Sequence, residues 1–188
     1  MTAQVLVAKE KLKNPPLEIH TLGDRVLRQP AKRITKVDAE IRRIAEDMLK
    51  TMYSADGIGL AAPQVGIHKQ LIVIDLQPDD PANPPLVLIN PTIKRSSQET
   101  EADAEGCLSI PGVYLDVCRP AAIELSYKDE NGRPQTLQAT GLLARAIQHE
   151  MDHLNGVMFV DRVENDLQLT EELRKHGFAR NAVRPVRS

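Results

Sequence analysis

Cysteine is scarce in this sequence, which contains only Cys107 and Cys118. Two cysteines are too few for a disulfide scaffold, and in a cytosolic chain a cysteine is more often a ligand, a nucleophile or a core residue. Long apolar runs are also lacking, since none approaches the roughly 18 residues of a membrane-spanning helix. The first residues have neither a signal-peptide core nor a transit-peptide composition. We therefore expect a cytoplasmic protein that does not enter a membrane.

An excess of one charge is missing too. The 24 basic and 26 acidic residues are well mixed and give a net charge of -2. This balance argues against a nucleic-acid groove and against binding to an anionic membrane surface. With 188 residues, 41% of them hydrophobic, the chain suits one globular domain with a real core. We expect that domain over residues 17–188, preceded by a flexible polar arm over residues 1–16.

The most informative stretch is GLLARAIQHEMDHL at residues 141–154. Thr140 can cap its first amides, and Asn155 with Gly156 supplies a left-handed stop, which together predict a helix. The helix is apolar over most of its circumference, with Arg145 as one of few polar exceptions. A chain of this size can bury such a helix only through the middle of the fold.

This helix carries the pattern H-E-x-x-H as His149, Glu150 and His153. Two imidazoles one turn apart can converge on a single cation, with the glutamate as general base. The alternative is a chance pair of histidines beside a buried acid, although a buried carboxylate needs a compensating partner. A catalytic metal usually has three protein ligands and an open position. The downstream candidates His176 and Glu164 have no pattern to recommend them, so we place the third ligand upstream.

A second motif, GIGLAAPQVG at residues 57–66, formally contains G-x-G-x-x-A. A dinucleotide fingerprint needs a strand before it and a helix after it. Here a predicted helix precedes the glycines and Pro63 follows them, so we reject the nucleotide interpretation. Small residues let a ligand or another backbone approach closely, and a tight packing turn is the alternative.

The remaining elements follow from periodicity and turn residues. A helix is predicted from Asp38 to about Tyr53, and another from Thr170 to Gly177. Short extended segments are predicted at residues 17–22, 71–75, 86–90 and 158–162, a hairpin at 121–127 and 134–139, and a surface loop at 94–104.

Three stretches now stand together in order, GIGLAAPQ at 57–64, EGCLSIP at 105–111 and QHEMDH at 148–153. They resemble the three signature motifs of the peptide deformylases. The resemblance implies an α+β fold in which mixed, mostly antiparallel sheets surround a central metal-binding helix. It implies a metal-dependent hydrolase that removes the N-formyl group from the N-terminal formylmethionine of new polypeptides and releases formate. Its implied partners are N-formylmethionyl nascent peptides, with transient contact to the ribosome.

Carried over residue by residue, the resemblance makes Cys107 the third metal ligand beside His149 and His153. It makes Glu150 the general acid and base. A thiolate and two imidazoles would leave a divalent ion one open site for water. These ligands suit zinc, but the resemblance implies ferrous iron as the native ion, with zinc, nickel or cobalt able to occupy the same site.

The resemblance also assigns residues around the metal ligands. It assigns the oxyanion to Gln64 and the backbone amide of Leu108, the substrate to Ile58, Gly59, Leu142 and Ala146, and support of the cysteine loop to an ion pair of Glu105 with Arg119. Leu142 and Ala146 could equally be core residues. Tyr114 stands where some family members carry a basic residue, and Cys118, outside every motif, is interpreted as structural.

Two other functions remain open at this point. An H-E-x-x-H endopeptidase would need a downstream third ligand, and its metal binding would not depend on Cys107. A structural metal site in a ribosome-associated binding module would use a fourth protein ligand and leave no position for water.

Overall fold

The computed structural model describes residues 4–186 and consists of helices packed with antiparallel sheets. No helix among these residues is long and apolar enough to cross a membrane. In chain order the elements are α1 (Ala39–Ser54), β1 (Gly59–Ala61), β2 (Leu71–Ile74), β3 (Leu86–Ser96), β4 (Thr100–Cys107), β5 (Ile110–Pro120), β6 (Ala122–Lys128), β7 (Pro134–Thr140), α2 (Gly141–Leu154) and α3 (Asp166–Lys175), with short 3-10 turns between several of them.

Two antiparallel sheets flank the helix α2. The larger sheet has the strand order β1-β2-β3-β6-β7, and β4 pairs with β5 in the smaller one. On one side, Ala144 and Ile147 of α2 pack among buried side chains of the larger sheet such as Ile72 and Leu125. On the other side, α2 faces β5. The predicted central position of this helix and the predicted α+β class are confirmed.

α2 begins and ends where predicted, but the side-chain cap predicted at its N-terminus is absent. Thr140 has the extended backbone of an N-cap residue, yet its side chain makes no capping hydrogen bond. At the other end Gly156 has a positive φ of 70°, and its N–H donates to the carbonyl of His153. The left-handed stop therefore works as expected, because glycine carries no Cβ penalty in this conformation.

The polar residues of α2 are buried rather than solvated. Arg145 and Gln148 donate to the carbonyl oxygens of Val117 and Pro120 on β5, at 2.8 and 3.0 Å. Both residues are 8% exposed. Because β5 supplies hydrogen-bond partners, the polar side chains of the helix are buried from Arg145 onward, while Leu142 in its first turn stays exposed.

Several local predictions were wrong. Residues 94–104, expected as a surface loop, form the end of β3 and most of β4, whose exposed polar side chains hide the strand periodicity. Residues 158–162, expected as a strand, contain a 3-10 turn over Phe159–Arg162. The last helix begins at Asp166 rather than Thr170, because Asn165 accepts a capping hydrogen bond from Gln168 N–H.

Residues 4–16 form no helix or strand, and they lie against the rest of the chain. Val5 is buried in the core cluster that includes α1 and β2. The backbone N–H of Leu12 donates to Ser54 Oγ at 3.1 Å. The polar composition of the arm did not predict this packing, because isolated residues make the contacts and no periodic apolar pattern marks them.

Candidate active site

Three side chains converge where the smaller sheet meets α2. The tight turn between β4 and β5 brings Cys107 to the histidines of α2, and the ligand atoms of Cys107, His149 and His153 lie within 4.8 Å of one another. Cys107 Sγ is 3.4 Å from Nε2 of His153. One soft thiolate and two imidazoles form a donor set for a divalent transition metal.

Glu105 orients one of these histidines. Nδ1 of His149 lies 2.8 Å from Glu105 Oε2, which directs the opposite ring nitrogen toward Cys107. Arg119 donates to both oxygens of Glu105, and Arg145 Nη1 donates to Oε1 at 2.9 Å. Burial opposes the charge of Glu105, but the hydrogen bonds from Arg119 and His149 prevail and lower its pKa to about 2. The carboxylate therefore stays ionised at neutral pH.

The second histidine lies in a different environment. Burial, reinforced by the charge of His149, lowers the pKa of His153 well below its ordinary value. A neutral imidazole has a lone pair to give to a metal, so this environment suits a ligand.

Glu150 points into the same site without becoming part of the ligand group. It is 5% exposed, and within residues 4–186 its Oε2 atom is buried without a hydrogen-bond partner. Burial is the main cause that raises the pKa of Glu150 to about 7. A Cβ atom on Gly59 would lie 2.6 Å from Oε1 of Glu150, so only glycine leaves room for this carboxylate.

Gln64 is held between the first two motifs. Its Oε1 accepts from Ala61 N–H at 2.9 Å, which directs the Nε2 amino group toward the second motif. Nε2 lies 3.1 Å from Ser109 Oγ and 3.5 Å from Cys107 Sγ. Gln64 is 1% exposed, so a donor of fixed orientation lies beside the candidate metal ligands.

A cavity of about 500 Å³ opens onto these groups. Its walls include Cys107, His149 and Glu150 at one end and exposed side chains such as Tyr114 toward solvent. The other predicted site residues that line it are Ile58, Gly59, Gln64, Glu105, Leu108, Leu142 and Ala146. His153 and Arg119 are buried and do not line it.

A family model described as polypeptide deformylase matches residues 16–168. The chain belongs to the peptide deformylase family. It is 72% identical to the peptide deformylase of Microchaete diplosiphon over 99% of this chain and 100% of that protein. It is 64% identical to that of Synechocystis sp. over 99% of this chain and 100% of the relative.

Solved structures agree with this assignment. The crystal structure of a peptide deformylase from Synechococcus elongatus in complex with actinonin has a TM-score of 0.95 at 70% identity, over 96% of this chain and 98% of that one. The peptide deformylase of Thermotoga maritima has a TM-score of 0.74 at 42% identity, over 79% and 97% of the two chains.

The chain is therefore a hydrolase that removes the N-formyl group from nascent peptides, and the predicted family and function are confirmed. The endopeptidase and binding-module alternatives are set aside by the same findings. Peptide deformylases are metalloenzymes, and within residues 4–186 Cys107, His149 and His153 form a group that could hold the ion.

Sequence reasoning missed part of the network around the candidate site. Asp152 accepts from Arg119 Nη1 at 2.9 Å and from Arg162 Nη2 at 2.7 Å. Asp152 therefore holds the guanidinium of Arg119, which pairs with Glu105. Arg145 was assigned no role, yet it is a second cation on Glu105. The available signal was the presence of Arg145 and Asp152 on a largely apolar helix, since buried charges need partners.

Proposed function

We propose that Cys107, His149 and His153 hold one divalent cation, natively Fe²⁺, in this deformylase. The donor set fits, because the three ligand atoms face one another and Glu105 fixes the ring of His149. The orphaned Oε2 atom of buried Glu150 also fits, since a cation nearby would compensate its charge. When bound, the cation supplies a Lewis acid that activates water and polarises the formyl carbonyl.

We propose that Glu150 moves the proton of the reaction. Its carboxylate takes a proton from the attacking water and gives it to the methionine nitrogen as the C–N bond breaks and formate leaves. Burial raises the pKa of Glu150 and a bound cation would lower it again, so both the ionised and the protonated carboxylate are accessible to this transfer.

The developing negative charge on the formyl oxygen needs donors in place before the reaction. We assign this role to the Nε2 amino group of Gln64 and the backbone amide of Leu108, which both line the cavity. Gln64 is held by Ala61, so little reorganisation is needed. A single donor of this kind typically contributes about 3 kcal/mol to transition-state stabilisation.

The methionine side chain binds, in this proposal, to the apolar part of the cavity. Ile58 is 37% exposed and Leu142 is 56% exposed, so both can contact a substrate, and Ala146 lies deeper at 8%. Gly59 allows the peptide backbone to approach Glu150 closely. The alternative of plain core residues suits Ala146 better than Leu142.

The observation that carries the proposal is the Cys107–His149–His153 group with buried Glu150 at the end of one cavity. The substrates are N-formylmethionyl nascent peptides, and we propose on this ground that the enzyme acts in the cytoplasm in transient contact with the ribosome. We expect the Fe²⁺-loaded enzyme to release formate from a formyl-Met peptide and to leave the N-acetyl-Met analogue intact. Formate is measured by a coupled assay and the peptide by mass spectrometry. Cleavage of an internal peptide bond would contradict the proposal.

The identity of the metal makes a separate prediction. A thiolate on a redox-active ion is open to oxidation, whereas nickel is not oxidised under the same conditions. We therefore expect the Fe²⁺ enzyme to lose activity in air and the Ni²⁺ enzyme to keep it, with sulfur oxidation at Cys107 found by mass spectrometry in the iron form. Equal rates of inactivation would argue against Cys107 as a ligand of iron.

A further inference from the structure

A lysine of the N-terminal arm fills a cage of oxygen atoms near the catalytic cavity. The Nζ atom of Lys9 lies 2.6 Å from the carbonyl oxygens of both Asp80 and Asn83 and 3.1 Å from that of Gln77. The same atom is 2.7 Å from Oδ2 of Asp75. The side chains of Lys9 and Asp75 are 8% and 0% exposed. An ammonium group is thus surrounded by four oxygen atoms in a site that excludes most water.

The buried carboxylate of Asp75 depends on this ammonium. Tyr53 Oη donates to Asp75 Oδ2 at 2.7 Å, and the Gln77 backbone N–H donates to Oδ1 at 2.9 Å. Burial opposes ionisation, but hydrogen bonds from Lys9 and Tyr53 outweigh it and hold the pKa of Asp75 below its ordinary value. Removing the ammonium would leave a buried anion without a counter-ion, which is strongly unfavourable.

Asp75 is joined directly to a wall of the cavity. Its backbone N–H donates to the carbonyl oxygen of Ile58 at 2.8 Å. Residues 55–59, which follow the last turn of α1, all line the cavity. Tyr53 precedes residues 55–59 and Ile58 lies among them. Asp75 therefore contacts the chain both before this wall and within it. Asp56 between them has a positive φ of 58°, which is uncommon outside glycine, so the wall needs support from its surroundings.

The arm makes two weaker contacts with the same region. Lys11 Nζ is 2.6 Å from Asp56 Oδ2, and the backbone N–H of Leu12 donates to Ser54 Oγ. The side chains of Lys11 and Asp56 are 64% and 68% exposed, so water and salt screen their attraction. Among the polar contacts of the arm, the buried Lys9 is therefore the anchor, beside the apolar packing of Val5.

We propose that Lys9 is a positioning residue for deformylation, because its ammonium holds the buried carboxylate of Asp75 and Asp75 holds the Ile58 wall against which the formylated peptide binds. The family model begins at residue 16, so the arm lies outside the region that it describes. The inference rests on the proposed function for the contact between Ile58 and substrate.

The first test replaces Lys9 by methionine, which keeps most of the apolar stem and removes the charge. We expect KM for a formyl-Met peptide to rise about 10-fold and kcat to stay within about 2-fold, because the substrate wall shifts while the metal ligands and Glu150 belong to other elements. The matched control is Lys13→Met, at an exposed lysine of the same arm, which should leave both constants unchanged. An unchanged KM in Lys9→Met overturns the proposal.

The second test separates the charge of Asp75 from the presence of the arm. In the double variant Lys9→Met with Asp75→Asn, the amide oxygen can still accept from the Gln77 N–H and the amide NH2 can donate to the hydroxyl oxygen of Tyr53, but no buried anion is left without a cation. We expect KM to return to within about 3-fold of the wild-type value. A KM as high as in the single variant would mean that Asp75 does not transmit the effect, and the proposal would be wrong.

Amide hydrogen exchange supplies a readout that does not depend on activity. In Lys9→Met, exchange at residues 55–61 and at the Asp75 N–H should accelerate about 10-fold or more, while residues 144–154 of α2 keep the wild-type rate. Equal acceleration in both regions would indicate general destabilisation and contradict a positioning role.

If the wild-type enzyme released no formate, the proposed function would fail, yet this measurement would still test Lys9. If Lys9→Met does not fold, Lys9→Gln, which retains a donor for the carbonyls, is compared in the same way.

Discussion

Replacement of Glu150 by glutamine should lower kcat by about 10²-fold or more while the metal content stays near one per chain. The amide keeps the size of the side chain and can still form a hydrogen bond, but it cannot accept the proton of water. The side chain is buried at the end of the cavity and lies outside the Cys107–His149–His153 group, so its loss should not open the metal site. Steady-state kinetics on a formyl-Met peptide, with metal analysis of the same preparation, measure both quantities.

The control for this experiment is the same chemical change at Glu164, an exposed residue after the 3-10 turn that follows α2. Glu164→Gln should leave kcat and metal content at their wild-type values. Loss of metal in parallel with loss of activity would make Glu150 a ligand or a structural support. Full activity with full metal content would show that another group moves the proton, and the role assigned to Glu150 would then be wrong.

Replacement of Cys107 by alanine should remove tight metal binding altogether. Two imidazoles hold a divalent ion far less firmly than two imidazoles and a thiolate, and the thiolate also neutralises one of the two charges of the ion. Activity should fall to background as a consequence. Metal analysis after dialysis against a weak chelator measures the first effect, and formate release measures the second.

The chain offers a matched control for this variant in its other cysteine. Cys118 lies on β5 and is exposed, so Cys118→Ala should retain one metal ion per chain and full activity. Circular dichroism of both variants checks that the fold is intact. Stoichiometric metal in Cys107→Ala would remove this residue from the site and would require a different third ligand.

The helical part of the site could be predicted because it depends on local geometry. Residues four apart on a helix lie on the same face whatever surrounds them, so H-E-x-x-H at residues 149–153 was enough to bring two imidazoles together. The positive φ of Gly156 that ends the helix is likewise a property of one residue. The family, the activity and the α+β class followed from three such motifs in order.

The strands of the smaller sheet were harder to predict. β4 has an exposed, mostly polar surface, so the alternation that marks a half-buried strand is missing from its sequence. Its pairing with β5 is nevertheless what brings Cys107 to the histidines, because Cys107 lies at the tight turn between the two strands. The position of Cys107 beside α2 was available only from the family resemblance.

Sequence by itself determined the helix 141–154, its two histidines, its buried glutamate and the three motifs that define the family. Only the tertiary structure decided that Arg145 joins Arg119 in neutralising Glu105, and that Lys9 fills an oxygen cage around Asp75. These ion pairs join residues 14 to 66 positions apart, and a charged side chain has no periodic signal that names its partner. A buried charge requires some compensation, but which residue supplies it depends on how the sheets pack around the helix.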